Sequence, residues 1–309
     1  MLKRIAISTL IALVLTVAVW ATLVASYDEE RGTQNVVAVS AEPTGSTDTD
    51  DRLAALSFNG QAESLSWASM DISVEVNGVF HSCGFGAQSL PSATDALVQP
   101  RLGADGHTFT TVVDATNEDA FTHVLIPAQT LGDEDEYTMR FSSTDVYLAE
   151  DVRWAFLEGV EFNEVTSSDN ITFSNETTER LEWYEYDLTV HRITPIEGVY
   201  LFDVEGVTYK VQFVSYYNQN DERRYPTMLM ATLDPTAFPA LTNPDLVSPA
   251  PCLIVSGDDD LVTWNANETV LLYEHGISIR SDEAPLTVRV RYEAVDVRIV
   301  EVLSTSAEQ

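Results

Sequence analysis

From Leu56 to the C-terminus, the apolar residues recur mainly at every second position, and this period restricts the fold more than any other feature. Ile72, Val74 and Val76 alternate with Ser73 and Glu75, and Asn77-Gly78 then supplies the turn signal of a two-residue hairpin. Similar short runs occupy residues 107–113, 138–141, 199–204, 207–214, 270–273 and 286–292. In the last of these, Val288 and Val290 face one way and Arg289 and Arg291 the other. Beyond the first thirty residues no apolar helical pattern lasts more than about two turns. The chain therefore reads as all-β, with antiparallel sheets in a sandwich-like arrangement and one N-terminal helix.

That helix is set by an uncharged run from Ile5 to Ala25, with Lys3 and Arg4 before it and Asp28, Glu29 and Glu30 after it. Such a run, at about 1.5 Å per residue, reaches roughly 31 Å and matches the hydrocarbon core of a bilayer. The basic pair predicts a single-pass anchor with the N-terminus in the cytoplasm and the remainder outside the cell. A cleaved signal peptide is the competing reading, because Val24-Ala25-Ser26 offers small residues at a cleavage position. A pilin-like helix destined for a filament core is the third, although a basic residue and glycine before the apolar run are missing. All three readings export the rest of the chain.

Charge fits that location. There are 49 acidic residues against 16 basic ones, for a net charge of −33, and only Lys3 and Lys210 are lysines. A surface this negative repels phosphate backbones and anionic headgroups, which argues against a nucleic-acid partner and leaves hydrophobic anchoring as the route to a membrane. Acid excess with almost no lysine is a pattern of high-salt or marine archaea, where salt screens the mutual repulsion of the carboxylates. An acidic secreted protein is the plainer reading.

The chain divides by composition into an anchor or signal segment (1–27), an acidic linker (28–55), a first β-part (56–150) and a middle β-part (151–234). A connection at 235–252 carries Pro235, Pro239, Pro244, Pro249 and Pro251, a density that forbids regular pairing, and C-terminal strands (253–309) follow. An echo between Leu65-Ser-Trp67…Val74-Glu-Val76 and Leu261-Val-Thr-Trp264…Val270-Leu-Leu272 suggests that the two ends complete one domain, with the middle inserted. These flanks resemble archaeal pilin-type surface domains. Cys83 and Cys252 fall one in each end segment. In an exported protein they read either as a disulfide or as two independent buried thiols.

One stretch is more specific. It runs Trp183-Tyr-Glu-Tyr-Asp-Leu-Thr-Val-His-Arg-Ile-Thr-Pro195, then Val199-Tyr-Leu-Phe-Asp-Val-Glu-Gly-Val-Thr-Tyr-Lys-Val-Gln-Phe-Val-Ser-Tyr-Tyr217, then Tyr225-Pro-Thr227. Read physically, the second part is two strands joined at Glu205-Gly206, with aromatic residues alternating inward. Lys210 reads either as a solvated strand lysine or as a specific partner for a carboxylate.

Over about residues 160–230 this passage resembles the HmuY family of exported haem-binding proteins. The matching elements are the Trp-Tyr-x-Tyr-Asp…Thr-x-His-x-x-x-Pro block, the Val-Tyr…Gly-x-x-Tyr-Lys hairpin, the Ser-Tyr-Tyr end and the Tyr-Pro-Thr turn. The resemblance implies an all-β fold and capture of haem or a related hydrophobic ligand at the cell surface, delivered free or by a haem-carrying protein; the chain is separately expected not to be an enzyme, because no catalytic motif selects itself. It also implies histidine or methionine as axial ligands, and the candidates are His191, Met228 and Met230, with the second axial position open. The alternative is a structural or adhesive pilin-like surface subunit with no haem site.

Other motifs are sparse. There is no Gly-x-Ser-x-Gly elbow, His-Glu-x-x-His motif or phosphate-binding glycine loop, and no metal site is expected. The acidic runs Asp133-Glu-Asp-Glu136 and Asp258-Asp-Asp260 lack EF-hand spacing. Asn170, Asn175 and Asn267 stand in glycosylation triplets that suit a surface protein.

Overall fold

The computed structural model describes residues 13–21, 35–41, 52–59, 66–93, 95–218, 220–256, 269–279, 286–292 and 301–304. The described residues are mostly β-strand, and their single α-helix covers 13–21. That helix is apolar on every side, with Leu13, Val14, Leu15, Val17, Val19 and Trp20 all exposed. No helix among the described residues is long and apolar enough to cross a membrane. The remainder of the run Ile5 to Ala25 lies outside them.

The two ends of the chain meet in one eight-stranded sheet. Its order is Asn35–Ala41, Leu286–Tyr292, Met70–Val76, Val79–Gly84, Cys252–Ser256, Thr269–Glu274, Arg52–Asn59 and Glu301–Ser304. Asn77 and Gly78, at φ of 52° and 80°, form the tight turn their sequence signals. The period-two reading is literal in Met70–Val76, which alternates buried and half-buried residues along its length. Pairing is antiparallel except between Val79–Gly84 and Cys252–Ser256, which run parallel, so the expectation of purely antiparallel sheets needs this one correction. A wide sequence separation allows it, because parallel neighbours need a long crossover.

A six-stranded antiparallel sheet holds the middle of the chain, in the order Arg153–Glu158, Gly198–Val204, Val207–Tyr217, Arg223–Thr232, Phe109–Val113 and Val98–Leu102. Its last two strands come from before residue 150, so a division at 150/151 would run through the sheet. Period alone cannot reveal such a pairing, since it fixes a strand's faces and not its neighbours. Both faces are covered. Tyr200, Phe202, Met228 and Met230 point into one core, while Val199, Leu201, Leu229 and Ala231 point into another. The first core is closed by a four-stranded sheet built from Thr122–Leu125, Thr130–Leu131, Met139–Ser142 and Asp145–Leu148.

The proline-rich connection begins with two 3-10 turns, Pro235–Ala237 and Pro239–Thr242. It nevertheless pairs briefly, as Val247–Pro249 lies antiparallel to Ala87–Ser89. The strand is three residues long and ends at its proline, which is where a missing N–H is tolerated.

Candidate binding site

The motif Trp183…Pro195 folds as a hairpin of Tyr184–Asp187 and Arg192–Pro195. Its root is core. The Trp183 ring is fully buried, stacks on Phe213 with centroids 4.6 Å apart, and donates from Nε1 to the Thr144 carbonyl at 2.9 Å. Tyr200 donates its hydroxyl to the Glu182 carbonyl at 2.6 Å, and burial pushes its pKa well above the usual phenol value. These aromatic residues of the motif anchor the hairpin to the six-stranded sheet.

The tip behaves differently. Asp187 Oδ1 accepts from the Thr189 amide at 2.7 Å and nucleates the turn, and His191 closes it at φ 56°. His191 therefore sits in a turn, not on a strand, and its side chain is exposed. Its Nδ1 lies 3.0 Å from the Tyr186 hydroxyl. Leu188, 76% exposed, and Tyr186, 49% exposed, share this tip. Arg192 braces the far strand, with its guanidinium 3.9 Å from the Tyr217 ring centroid and paired to Asp221 at 2.5 Å. The Tyr217 hydroxyl accepts from the Ile193 amide at 3.1 Å.

Met228 and Met230 occupy alternate positions of Arg223–Thr232 and share a face, but both are completely buried. Gln129, itself buried, donates from Nε2 to the Met230 sulfur at 3.1 Å and accepts from Thr111 at 2.5 Å. Both methionines were expected as candidate haem ligands, and in this fold each thioether is packed inside the core. The structure does not bring them together with His191. Sequence alternation showed that the two methionines face alike, and only the covering four-stranded sheet shows that the face is closed.

Lys210 takes neither of its two expected environments. Its Nζ donates to the carbonyls of Phe162 and Val165 at 3.0 and 3.3 Å and lies 4.3 Å from the Phe162 ring centroid. Burial lowers its pKa to about 8, against the opposing pull of the Asp105 carboxylate.

Cys83 and Cys252 are direct neighbours on the parallel pair, with sulfurs 2.03 Å apart in a disulfide. Asn170 and Asn175 are both exposed, and Asn267 lies outside the described residues. In the acidic run at 133–136, Asp133 Oδ1 accepts from the amides of Asp135 and Glu136, both at 2.9 Å. The run Asp258-Asp-Asp260 lies outside the described residues. Among the described residues no three His, Cys, Asp or Glu side chains converge as a metal site would require.

No protein-family model matches the sequence, and no curated protein does. Several solved structures are similar to it. One is a Bacteroides fragilis protein described as a lipoprotein, at 14% identity and a TM-score of 0.32, covering 46% of this chain and 97% of that one. Another is a Bacteroides vulgatus protein described as HmuY-like and haem-binding, at 12% identity and 0.30, covering 41% and 92%. A third is the apo HmuY analogue of Tannerella forsythia, at 10% identity and 0.28, covering 64% and 96%.

Proposed function

We propose that this chain is an exported, HmuY-like, non-enzymatic binding protein that captures haem or a related tetrapyrrole at the cell surface. The observation that carries the reading is the exposed His191 imidazole at the tip of the motif hairpin, held through Nδ1 by the Tyr186 hydroxyl. A ring fixed through Nδ1 presents Nε2 as the iron ligand, the arrangement by which a hydrogen-bonded partner orients a metal-binding histidine. Leu188 and Tyr186 supply apolar surface beside it for a macrocycle. Bound haem would contribute the iron that the imidazole ligates. The second axial ligand is left to the solvent or to a haem-carrying partner.

The same reading places the domain outside a membrane, tethered by the segment Ile5 to Ala25. It is supported by the all-round apolar surface of residues 13–21, which is the pattern of a helix meant for lipid. A sandwich-like association of the sheets belongs to this proposal too. The burial of Met228 and Met230 favours a second reading, in which the HmuY-like part is a scaffold inside a structural or adhesive subunit.

Titration of the full chain with haemin separates the two. The first reading expects a Soret band that saturates, is lost in His191→Ala and weakens in Tyr186→Phe. A titration without such a band, or one indifferent to His191→Ala, overturns it, and filaments or lateral assembly on cells would then support the second.

A further inference from the structure

The outer face of the four-stranded sheet gathers aromatic rings around one arginine. Met139 and Phe141 turn into the core, so Arg140 between them points outward. His123 and Tyr147 oppose it on the two neighbouring strands and share that face. The Arg140 guanidinium carbon lies 4.7 Å from the ring centroid of Phe121, 5.3 Å from that of Tyr147 and 5.8 Å from that of Tyr137. Phe121 and Tyr147 meet edge to face with centroids 5.9 Å apart, and His123 and Tyr137 do so at 4.9 Å. Phe121 is exposed, and the other members are half-buried.

The polar atoms of this cluster are short of partners. Arg140 Nε is buried and meets no hydrogen-bond acceptor. Arg101, Arg153, Arg180, Arg192, Arg224 and Arg291 each stand within 4.0 Å of a carboxylate, whereas Arg140 has none among the described residues. Asp145, which shares the outer face, is taken by Arg180 at 3.2 Å. The hydroxyls of Tyr137 and Tyr147 and the His123 imidazole likewise make no hydrogen bond among the described residues. The hydroxyls of Tyr184, Tyr200 and Tyr217 near the hairpin all make one.

These groups define what would fit. Cation–π attraction holds the guanidinium over the rings without using its N–H donors. A carboxylate matches that planar fork in geometry and in charge. The rings add flat apolar surface, and the hydroxyls and imidazole add donors and acceptors at its edge. A pyranose ring divides its surface in the same way, with C–H groups on its faces and hydroxyls around its rim. Peptide anchors favour deep, dry pockets instead of an open sheet face. The net charge of −33, and the exposed acids at 133–136 beside Tyr137, repel a polyanion far more than a ligand with one carboxylate.

We propose that this face binds a single carboxylated sugar residue of an otherwise uncharged glycan, its carboxylate on Arg140 and its ring against Phe121 and Tyr147. None of these residues belongs to the 184–195 hairpin, so the site is independent of haem capture.

The test is isothermal titration of the full chain with 3′-sialyllactose and, separately, with lactose, which lacks only the carboxylated sugar. Saturable binding of 3′-sialyllactose is expected, with lactose weaker by about tenfold or more. Arg140→Met keeps an apolar stem among the rings but removes the charge, and it should cost a similar factor. Phe121→Ala, at an exposed position, should weaken binding about threefold or more with an unchanged circular dichroism spectrum. Should Arg140→Met not fold, Phe121→Ala decides. No saturable binding of 3′-sialyllactose, equal affinity for the two sugars, or wild-type affinity in either folded variant overturns the proposal. So does tighter binding of a terminally blocked Glu-Ala-Glu peptide, which would assign the face to an acidic protein segment. A dimer in sedimentation velocity that Phe121→Ala abolishes would also overturn it and assign the face to a second copy of this chain.

Discussion

Cys83 and Cys252 face each other across the one parallel pairing among the described strands, their Cα atoms 4.4 Å apart after a separation of 169 residues. The bond joins the last strand that the N-terminal end gives to the eight-stranded sheet to the first that the C-terminal end gives. Everything between them is a loop closed by this contact.

Breaking it should therefore destabilise strongly. Closing a loop this long removes about 5 kcal/mol of chain entropy from the unfolded state, and measured losses for native disulfides run about 2–5 kcal/mol. Cys83→Ser with Cys252→Ser, or reduction of the native chain, should lower the urea midpoint by a matching amount. Equal midpoints with and without reductant would refute the prediction.

Lys210 should give the fold a pH dependence of known sign. Its pKa is about 8 in the folded chain and 10.5 ordinarily. Below pH 8 the amine is charged in both states, and the folded state carries the desolvation cost. Between those values the unfolded chain binds the proton and the folded chain does not, so this residue's contribution to stability rises with pH. The neutral amine keeps two N–H groups for its two carbonyl partners. Relative to Lys210→Met, the wild type should gain about 2 kcal/mol between pH 7 and 9.5, measured by urea unfolding.

The buried methionines should report on packing and not on haem. Met228→Leu and Met230→Leu nearly conserve volume and should cost less than about 1.5 kcal/mol each. Met230→Ala, which leaves a cavity and strips the sulfur from Gln129, should cost about 2–5 kcal/mol. None of these changes should alter a haemin titration once the fold is intact, and a Soret band lost in Met228→Leu would contradict the burial argument.

Salt should stabilise the protein. Raising sodium chloride from 0.1 to 1 M shortens the screening length from about 10 to about 3 Å, which suppresses repulsion within a chain of net charge −33. The melting temperature should rise across that range. A flat or falling trend would mean that the acids are individually compensated.

The strands were readable locally because a β-strand writes its two faces into alternate residues. Val288 and Val290 are buried while Arg289 and Arg291 are not, as their spacing implies, and Asn77-Gly78 and Glu205-Gly206 turn where they stand. What alternation cannot express is the identity of the neighbour. That Phe109–Val113 pairs with Arg223–Thr232, more than a hundred residues away, depends on packing summed over a whole sheet.

The same limit governed the sites. The sequence by itself determined the acidic excess, the β class and the motif around His191. Tertiary structure alone decided that His191 stands exposed at a turn beside the Tyr186 hydroxyl, that Met228 and Met230 lie under a second sheet, and that Arg101 and Arg291 converge on Asp71. A residue's chemistry is local, but its exposure and its partners belong to whatever the fold lays over it.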